Sequence, residues 1–558
     1  MSRRRKWLRR LLWLAAGGMV ALLLLWAGML ALMYHWVAKP PALAGSPAIL
    51  SLTPESRGDR VWLGRNWLGE RDGLPVLYLT GTPFEMGYAN GVLTQRRIRR
   101  QEDSIVTLLN RVAPYPALQF VLEFFVTYKN RHMTENITPE LQMEMLGIAR
   151  GCPDYHPELG PYYNRILNYH AAQDISYMLM NSPLIRRGCT AFGAWGAATQ
   201  AGHLFCGRNF DWEADPVFDE DRLLIICEPA NGIAFVSLAW AGMAGGVSGL
   251  NREGVSITVN GAPSDLPADA ATPTCLVARE VLEHAHNLAE AQDIIRRRQT
   301  YVSSMFLVGS RADGRFIVVE KTPEKMAVRE PETDADTLVC ANHYLTPEFK
   351  DTAINQFYRR GDTSVSRFDR LTELLRETNR LDAAACLARL RDRRLPGGQF
   401  AGNGHRGALN PLIATHAVVM DLTAGIFWAA LPPHQLGKCV AVEVREPERL
   451  LPELTLPPDP ILTNGVYRHY LVAKTELSQG WQALKLGDWE RAALRARQAE
   501  TNNPGYYQNA WLQAEVLFRQ GRLAEAAQAC QQALAGQPAL GGERHRLEQL
   551  LALTRKHP

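Results

Sequence analysis

Leu11–Met33 holds no charged residue and is built largely from Leu, Ala, Met, Gly and Trp. A backbone with so little polar company satisfies itself as a helix, and 23 residues reach across roughly 30 Å of bilayer hydrocarbon. Trp7 and Trp36 bracket the run at the depth where amphipathic rings favour the interface. Arg3, Arg4, Arg5, Lys6, Arg9 and Arg10 crowd one side. That asymmetry predicts a cytoplasmic N-terminus and a body on the exported, periplasmic or extracellular side. A cleaved signal has a shorter apolar core, of about 7–15 residues. Ala42-Leu43-Ala44 is a conceivable cutting site, but the length of the run favours a retained anchor.

Without those six charges the 558-residue chain carries 55 basic against 57 acidic residues, so its body is near neutral. Nothing in that balance points to nucleic acid. The nine cysteines form no CxxC, which removes zinc-ribbon and thioredoxin-like readings, and neither a metal nor a cofactor is expected. Their odd number fits one free thiol plus pairs, or nine scattered buried thiols.

The sequence divides into a basic tail and membrane helix (1–37), a Pro-, Ala- and Ser-rich linker (38–70), a segment preceding the thiol (71–188), a body (189–446), a Pro-rich linker (447–465) and a helical end (466–558). Leu74–Thr80 reads as a strand closed by Gly81-Thr82-Pro83, and a helical region follows to about Gly151. Thr138-Pro139-Glu140 is a helix start, with a capping hydroxyl, Pro at the first position and an acid in the first turn. After Cys189 the texture changes. Leu223–Cys227, Ala234–Trp240, Val255–Val259, Ser304–Val308, Phe316–Glu320, His416–Leu422 and Ile426–Ala430 read as strands, with helices at Val277–His284 and Leu288–Arg297. Grouped strands flanked by helices predict an α+β fold of stacked, helix-covered sheets. Beyond 466, Leu486-Gly487-Asp488-Trp489 aligns with Gln520-Gly521-Arg522-Leu523, and Pro504 with Pro538, at a 34-residue offset. With Ala492, Ala499, Ala526 and Ala533, that period resembles tetratricopeptide repeats, which commonly bind a protein partner.

Gly188-Cys189-Thr190 sets a thiol directly after a glycine. A cut there would give Cys189 a free α-amine, and a thiol carrying its own base performs amide chemistry without an adjacent histidine. Gly188 supplies the backbone freedom that an acyl shift at a strained junction needs. The following run to Thr199 reads as strand, with the sulfur at its start. In Gly207-Arg208-Asn209-Phe210-Asp211, Arg208 supplies a cation for the thiolate and Asp211 an anion for the α-ammonium. Asn260 ends a strand, where it is either an oxyanion donor or a turn residue. Asn342, before His343, either holds the substrate carbonyl or the amine, or caps a strand. Arg367 falls in the first turn of a helix opened by Gly361-Asp362-Thr363, where a cation opposes the dipole and calls for a carboxylate or thiolate partner.

These motifs together resemble the cysteine N-terminal-nucleophile hydrolases, in the isopenicillin-N acyltransferase type (peptidase family C45) and the choloylglycine hydrolase/penicillin V acylase type. Gly81-Thr82-Pro83-Phe84-Glu85-Met86-Gly87 resembles the propeptide motif of the first group, and the resemblance spans roughly residues 74–435. It implies an αββα four-layer sandwich, autocatalytic cleavage at Gly188–Cys189, and an acyl-thioester on Cys189. It further implies that Asn260 holds the oxyanion, Asp211 and Asn342 orient the amine, and Arg208 and Arg367 set the charge. The expected activity is hydrolysis of the linear amide of an N-acyl, amphiphilic small molecule. Acyl transfer to a second amine is the alternative within the class. Outside it stand a papain-like enzyme pairing Cys189 with His343 or His416, and a silent scaffold displaying the repeats.

Overall fold

The computed structural model describes residues 3–171, 174, 186–213, 215–263, 271–377, 380–449 and 451–556. Residues 172–173 and 175–185 of the expected 71–188 segment lie outside the described residues. Helix α1 (Arg3–Trp36) comes first, and its stretch Arg10–Trp36 is long and apolar enough to cross a membrane, as a signal sequence also is. Three strands follow, β1 (Glu55–Arg57), β2 (Arg60–Leu63) and β3 (Asn66–Arg71). The 38–70 stretch is therefore not all linker. Leu63 and Trp67 are buried, and Gly64 turns between them at a φ of 60° that suits glycine.

Strand β4 (Leu74–Gly81) leads into α2 (Pro83–Val112), and the Gly81–Gly87 motif has a physical reading here. Gly81 takes a φ of 122°, Thr82 and Glu85 form a reciprocal capping box, and Pro83 opens the helix. Helices α3 (Pro116–Asn130), α4 (Pro139–Gly151) and α5 (Tyr162–His170) complete this layer. Trp26 of α1 lies 6.1 Å from Phe120, and Trp36 lies 5.5 Å from Phe124, so α1 rests on α3. Thr138 caps α4 as expected, its hydroxyl accepting from the Leu141 amide at 3.3 Å.

Where α2 crosses α4, backbone meets backbone. A Cβ on Gly87 would fall 1.8 Å from the Glu144 carbonyl oxygen, and one on Gly147 would fall 2.4 Å from that of Phe84. Gly91 and Gly151 are equally closed, at 2.5 Å from the Ile148 oxygen and 2.3 Å from the Tyr88 oxygen. A glycine inside a helix costs up to about 1 kcal/mol against alanine, and here the close approach offsets it.

The body continues with β5 (Arg186–Gly196), β6 (Gly202–Glu213), the short α6 (Val217–Glu220), β7 (Leu223–Pro229), β8 (Phe235–Ala239), β9 (Ser248–Asn251) and β10 (Val255–Gly261). Then come α7 (Thr274–His284), α8 (Leu288–Arg297), β11 (Ser304–Ser310), β12 (Arg315–Lys321), β13 (Met326–Arg329) and β14 (Thr337–Cys340). Helices α9 (Ala353–Gly361), α10 (Ser364–Leu375) and α11 (Ala383–Leu390) precede β15 (Ala414–Asp421), β16 (Ile426–Ala430) and β17 (Cys439–Glu443).

One sheet runs β1-β2-β3-β4-β7-β8-β9-β10-β11-β12-β13 and the other β14-β5-β6-β15-β16-β17. The β4–β7 pairing is parallel and joins chain from before Cys189 to chain from after it. Residues of both sheets, among them Leu224, Leu307, Cys206 and Met420, share one core between them. A second core fills the space between the larger sheet and α2, α4, α5, α7 and α8, and a third lies between the smaller sheet and α10–α11. The order is thus helices, sheet, sheet, helices, a mixed fold in which the central strands are buried on both faces while β1 at the edge is exposed.

The C-terminal region is helical, as expected: α12 (Val466–Lys485), α13 (Trp489–Asn502), α14 (Tyr507–Arg519), α15 (Leu523–Ala535) and α16 (Gly541–Lys556). The starts of α13 and α15, and of α14 and α16, are each 34 residues apart. The Pro-rich stretch before them is fastened to the body, with Arg393 paired to Asp459 at 2.7 Å and the Leu456 amide donating to the Cys439 carbonyl at 2.9 Å. Asn403 and Asn503 exchange two 2.8 Å hydrogen bonds between body and helices.

Candidate active site

Cys189 lies in the interior of β5, not at its start. The strand already begins at Arg186 because the uncut chain pairs through the junction, Gly188 opposite Asp211 and Cys189 opposite Phe210. A Cβ on Gly188 would stand 3.2 Å from the Arg367 guanidinium carbon and 3.4 Å from Asp211 Oδ2. Glycine leaves this room to the charged groups.

Five further residues singled out in the sequence converge on or near this junction. The Cys189 amide donates to Asn342 Oδ1 at 2.9 Å, and Arg367 Nη2 donates to the same oxygen at 2.8 Å. Arg367 Nη1 donates to the Cys189 carbonyl at 2.6 Å and to Thr190 Oγ1 at 2.7 Å. Arg208 Nη2 lies 3.6 Å from Cys189 Sγ, and its other contacts fix the guanidinium on the Val247 and Val259 carbonyls and the Ser248 hydroxyl. These side chains are all buried. The hydrogen bonds above hold both guanidiniums on oxygens that carry no charge.

Arg367 was expected to need an anionic partner against the helix dipole. It sits one turn into α10, its strong contacts are neutral oxygens, and the Asp362 carboxylate stands off at 3.9 Å. Asp211 is buried beside these arginines with Oδ1 lacking a hydrogen-bond partner. Burial pushes its carboxyl up to about 6, even with Arg367, Arg406 and Arg208 pulling it down.

Asn260 departs from the expected geometry. Its NH2 donates to the Cys340 and Ala341 carbonyls at 3.1 and 3.0 Å, tying β10 to the end of β14 and the residue after it rather than pointing to the sulfur. Its Oδ1 is buried without a partner. Asn342, by contrast, is fixed from three sides: its Nδ2 donates to the Gly261 carbonyl at 2.8 Å, its amide to Ser364 Oγ at 2.7 Å, and its Oδ1 accepts as above.

Neither histidine of the papain-like alternative reaches the thiol among the described residues. His343 Nδ1 contacts Ser364 Oγ at 2.8 Å, and burial pushes the ring down to about 3. His416 Nε2 contacts Ser248 Oγ at 3.0 Å and stacks on Phe210, with burial keeping it neutral. Cys189 is also on a strand, without the helix N-terminus such enzymes use. All nine cysteines are free and buried.

Ser248, Thr190 and Ser364 went unremarked as site residues in the sequence. Thr190 and Ser364 had a signal in adjoining Cys189 and in preceding Arg367 by one helical turn. Ser248 had none, since only sheet packing brings it to Arg208.

Beside the sulfur, a cavity of about 100 Å³ opens between the helical layer and the sheets, with Ile98, Ile105, Ile166, Phe210, Phe218 and Trp240 in its walls. Phe210, paired with Cys189 across β5–β6, is one of its walls, while Cys189 itself is not. Thiol, buried amide, two cations and an apolar cavity together suit attack on an amide bearing an apolar group.

The profile of the family described as acyl-coenzyme A:6-aminopenicillanic acid acyl-transferase matches residues 198–396, which include Arg208, Asp211, Asn260, Asn342 and Arg367. The description of that family names an acyl transfer, and Cys189 itself stands before the matched residues. An uncharacterized protein of Archaeoglobus fulgidus is 26% identical over 337 residues, 54% of this chain and 55% of its own. Protein dcd1B of Dictyostelium discoideum is 23% identical over 267 residues, 46% of this chain and 52% of its own. The chain thus spans about half the length of these curated relatives. Among solved structures, the Caenorhabditis elegans ortholog of N-acylethanolamine-hydrolyzing acid amidase aligns at a TM-score of 0.31 and 17% identity, over 42% of this chain and 93% of that one. A mutant conjugated bile acid hydrolase from Clostridium perfringens aligns at 0.33 and 14%, over 46% and 93%.

Proposed function

We propose that the protein is a cysteine N-terminal-nucleophile amidase that cuts its own chain at Gly188–Cys189 and then hydrolyses the linear amide bond of N-acyl compounds. The observation carrying this reading is the shared oxygen of Asn342, which already holds the Cys189 amide and Arg367 at a junction whose glycine lies close against Arg367 and Asp211. In the cut, Sγ attacks the Gly188 carbonyl carbon, the Gly188–Cys189 amide becomes a thioester, and the proton passes to the departing amine. Water then frees Gly188. The new α-amine stays on Asn342 Oδ1, beside Asp211, and serves as the base for Cys189 in the next attack. The amide substrate acylates Sγ, its nitrogen leaves with the proton held by the α-amine, and water releases the acid. Asn260 would give an oxyanion donor only after its NH2 turns from the two carbonyls.

The two fragments should stay together, since β1–β4 and α2–α5 share a sheet and a core with the strands after the cut. We assign α1 to a retained anchor with a cytoplasmic N-terminus and an exported body, and α12–α16 to tetratricopeptide-like repeats with a protein partner. The acyl-transferase description of the matching family favours a second reading, in which an amine replaces water as acceptor.

Denaturing electrophoresis and N-terminal sequencing of the purified protein should give two co-purifying fragments meeting at 188/189, and Cys189→Ala a single chain. The cut protein should release amine from members of a panel of N-acyl amino acids and N-acyl lipids. An intact wild-type chain, or no release from any member, would overturn the proposal. A second amine that diverts the acyl group from water would make it a transferase.

A further inference from the structure

Along α2 the residues Ile98, Gln101, Glu102 and Ile105 recur at the spacing of one helical face, and all four line the cavity beside Cys189. Two polar side chains thus occupy the middle of an apolar stripe. Both are deeply buried, Gln101 at 8% exposure and Glu102 at 1%. Glu102 is half committed: its Oε1 accepts from the Tyr169 hydroxyl at 2.8 Å and meets Arg165 Nε at 3.4 Å. Its Oε2 has no hydrogen-bond partner, and neither has the Gln101 NH2. An unmade buried hydrogen bond is costly, and here a donor and an acceptor lack one on consecutive residues lining the same cavity.

We infer that this pair is a specificity site for the acyl group, accepting a chain that carries a hydroxyl or carboxamide, which takes a hydrogen bond from Gln101 Nε2 and gives one to Glu102 Oε2. The inference rests on the amidase reading of Cys189 and goes beyond it by naming what the apolar cavity selects. A methyl at that position would leave both polar groups unpaired, and a site built to bond a hydroxyl rejects the analogue lacking it far more strongly than an apolar pocket rejects an extra methylene. Burial pushes the Glu102 carboxyl up, while the Tyr169 hydroxyl and Arg165 at Oε1 pull it down.

The test uses the full-length, self-cleaved protein and a series of amides of one amine. Their acyl chains are identical except for a hydroxyl, a carboxamide or only hydrogen at successive carbons. At one position the hydroxyl or carboxamide member should exceed the plain chain in kcat/KM by at least about tenfold. Gln101→Leu, whose lost NH2 bonds nothing in the structure, should bring that ratio toward one. Glu102→Gln should do the same. Because the ratio is taken within one preparation, it is unaffected by the fraction of folded enzyme. Hydrolysis of the plain chain with no position favoured, or a preference that survives Gln101→Leu, overturns this inference and leaves the amidase reading standing. No turnover of any amide fells the amidase reading, and this inference with it.

Discussion

Glycine does different work in the α2–α4 crossing and at the Gly188–Cys189 junction. At the crossing, what stands where the Cβ would be is backbone, at 1.8–2.5 Å, and two rigid helices have nowhere to move. At the junction, the nearest atoms are the ends of the Arg367 and Asp211 side chains, at 3.2–3.4 Å. The first glycines permit packing and the second permits electrostatics. The crossing is therefore predicted to govern stability with little say in the chemistry, and the junction the reverse.

Gly87→Ala tests that contrast hardest. Its methyl must drive α2 and α4 apart, and we expect a loss of about 3 kcal/mol, at the upper end of overpacking costs, read as a lower midpoint in urea unfolding. A change under about 0.5 kcal/mol would mean that the helices do not touch as described.

At the junction the sharper measurement is pH. Burial holds the Asp211 carboxyl at about 6, above the 3.8 of a free side chain, so the fold prefers it protonated. Its stabilising preference is whole below pH 3.8 and is lost as pH rises through about 6. Asp211→Asn should accordingly stabilise the protein relative to wild type above that range and not below it. If ionised Asp211 assists the cut, precursor conversion at pH 5 should run about tenfold below its plateau, and Asp211→Asn should erase that acid limb. A wild-type profile flat from pH 5 to 8 would remove Asp211 from the step.

Gly188→Ala is the mildest change. The Arg367 side chain can yield a few tenths of an ångström, so stability should stay within about 0.5 kcal/mol of wild type. Conversion into two fragments should slow by a few-fold, followed by electrophoresis after synthesis. A stability loss as large as that of Gly87→Ala would erase the distinction between the two glycine sites.

Much of the architecture was legible because it is local. The α8 and β16 boundaries were readable to the residue from periodicity alone, and the Thr138 cap from three adjoining residues. The 34-residue offset fell on the starts of α13 and α15 for the same reason. Strands β1–β3 were missed because short strands with charged, Gly-broken sequence look like tether until a sheet is there to pair with them. The region around Cys189 was legible as residue types: a glycine-thiol junction, two arginines, an aspartate and two asparagines. Which of them touch was not.

The sequence alone determined that a thiol follows a glycine where the chain turns from helical to strand-forming, and that a long apolar helix precedes it, since both depend on neighbours in the chain. Tertiary structure alone decided that Asn342 holds the Cys189 amide while Asn260 spends its donors on two carbonyls. It also decided that Gln101 and Glu102 line the same cavity as Phe210, the strand partner of Cys189. Those outcomes depend on the stacking of two sheets and on the crossing of α2 with α4. Such packing joins residues 80 to 153 positions apart, and no local pattern encodes which side chain arrives.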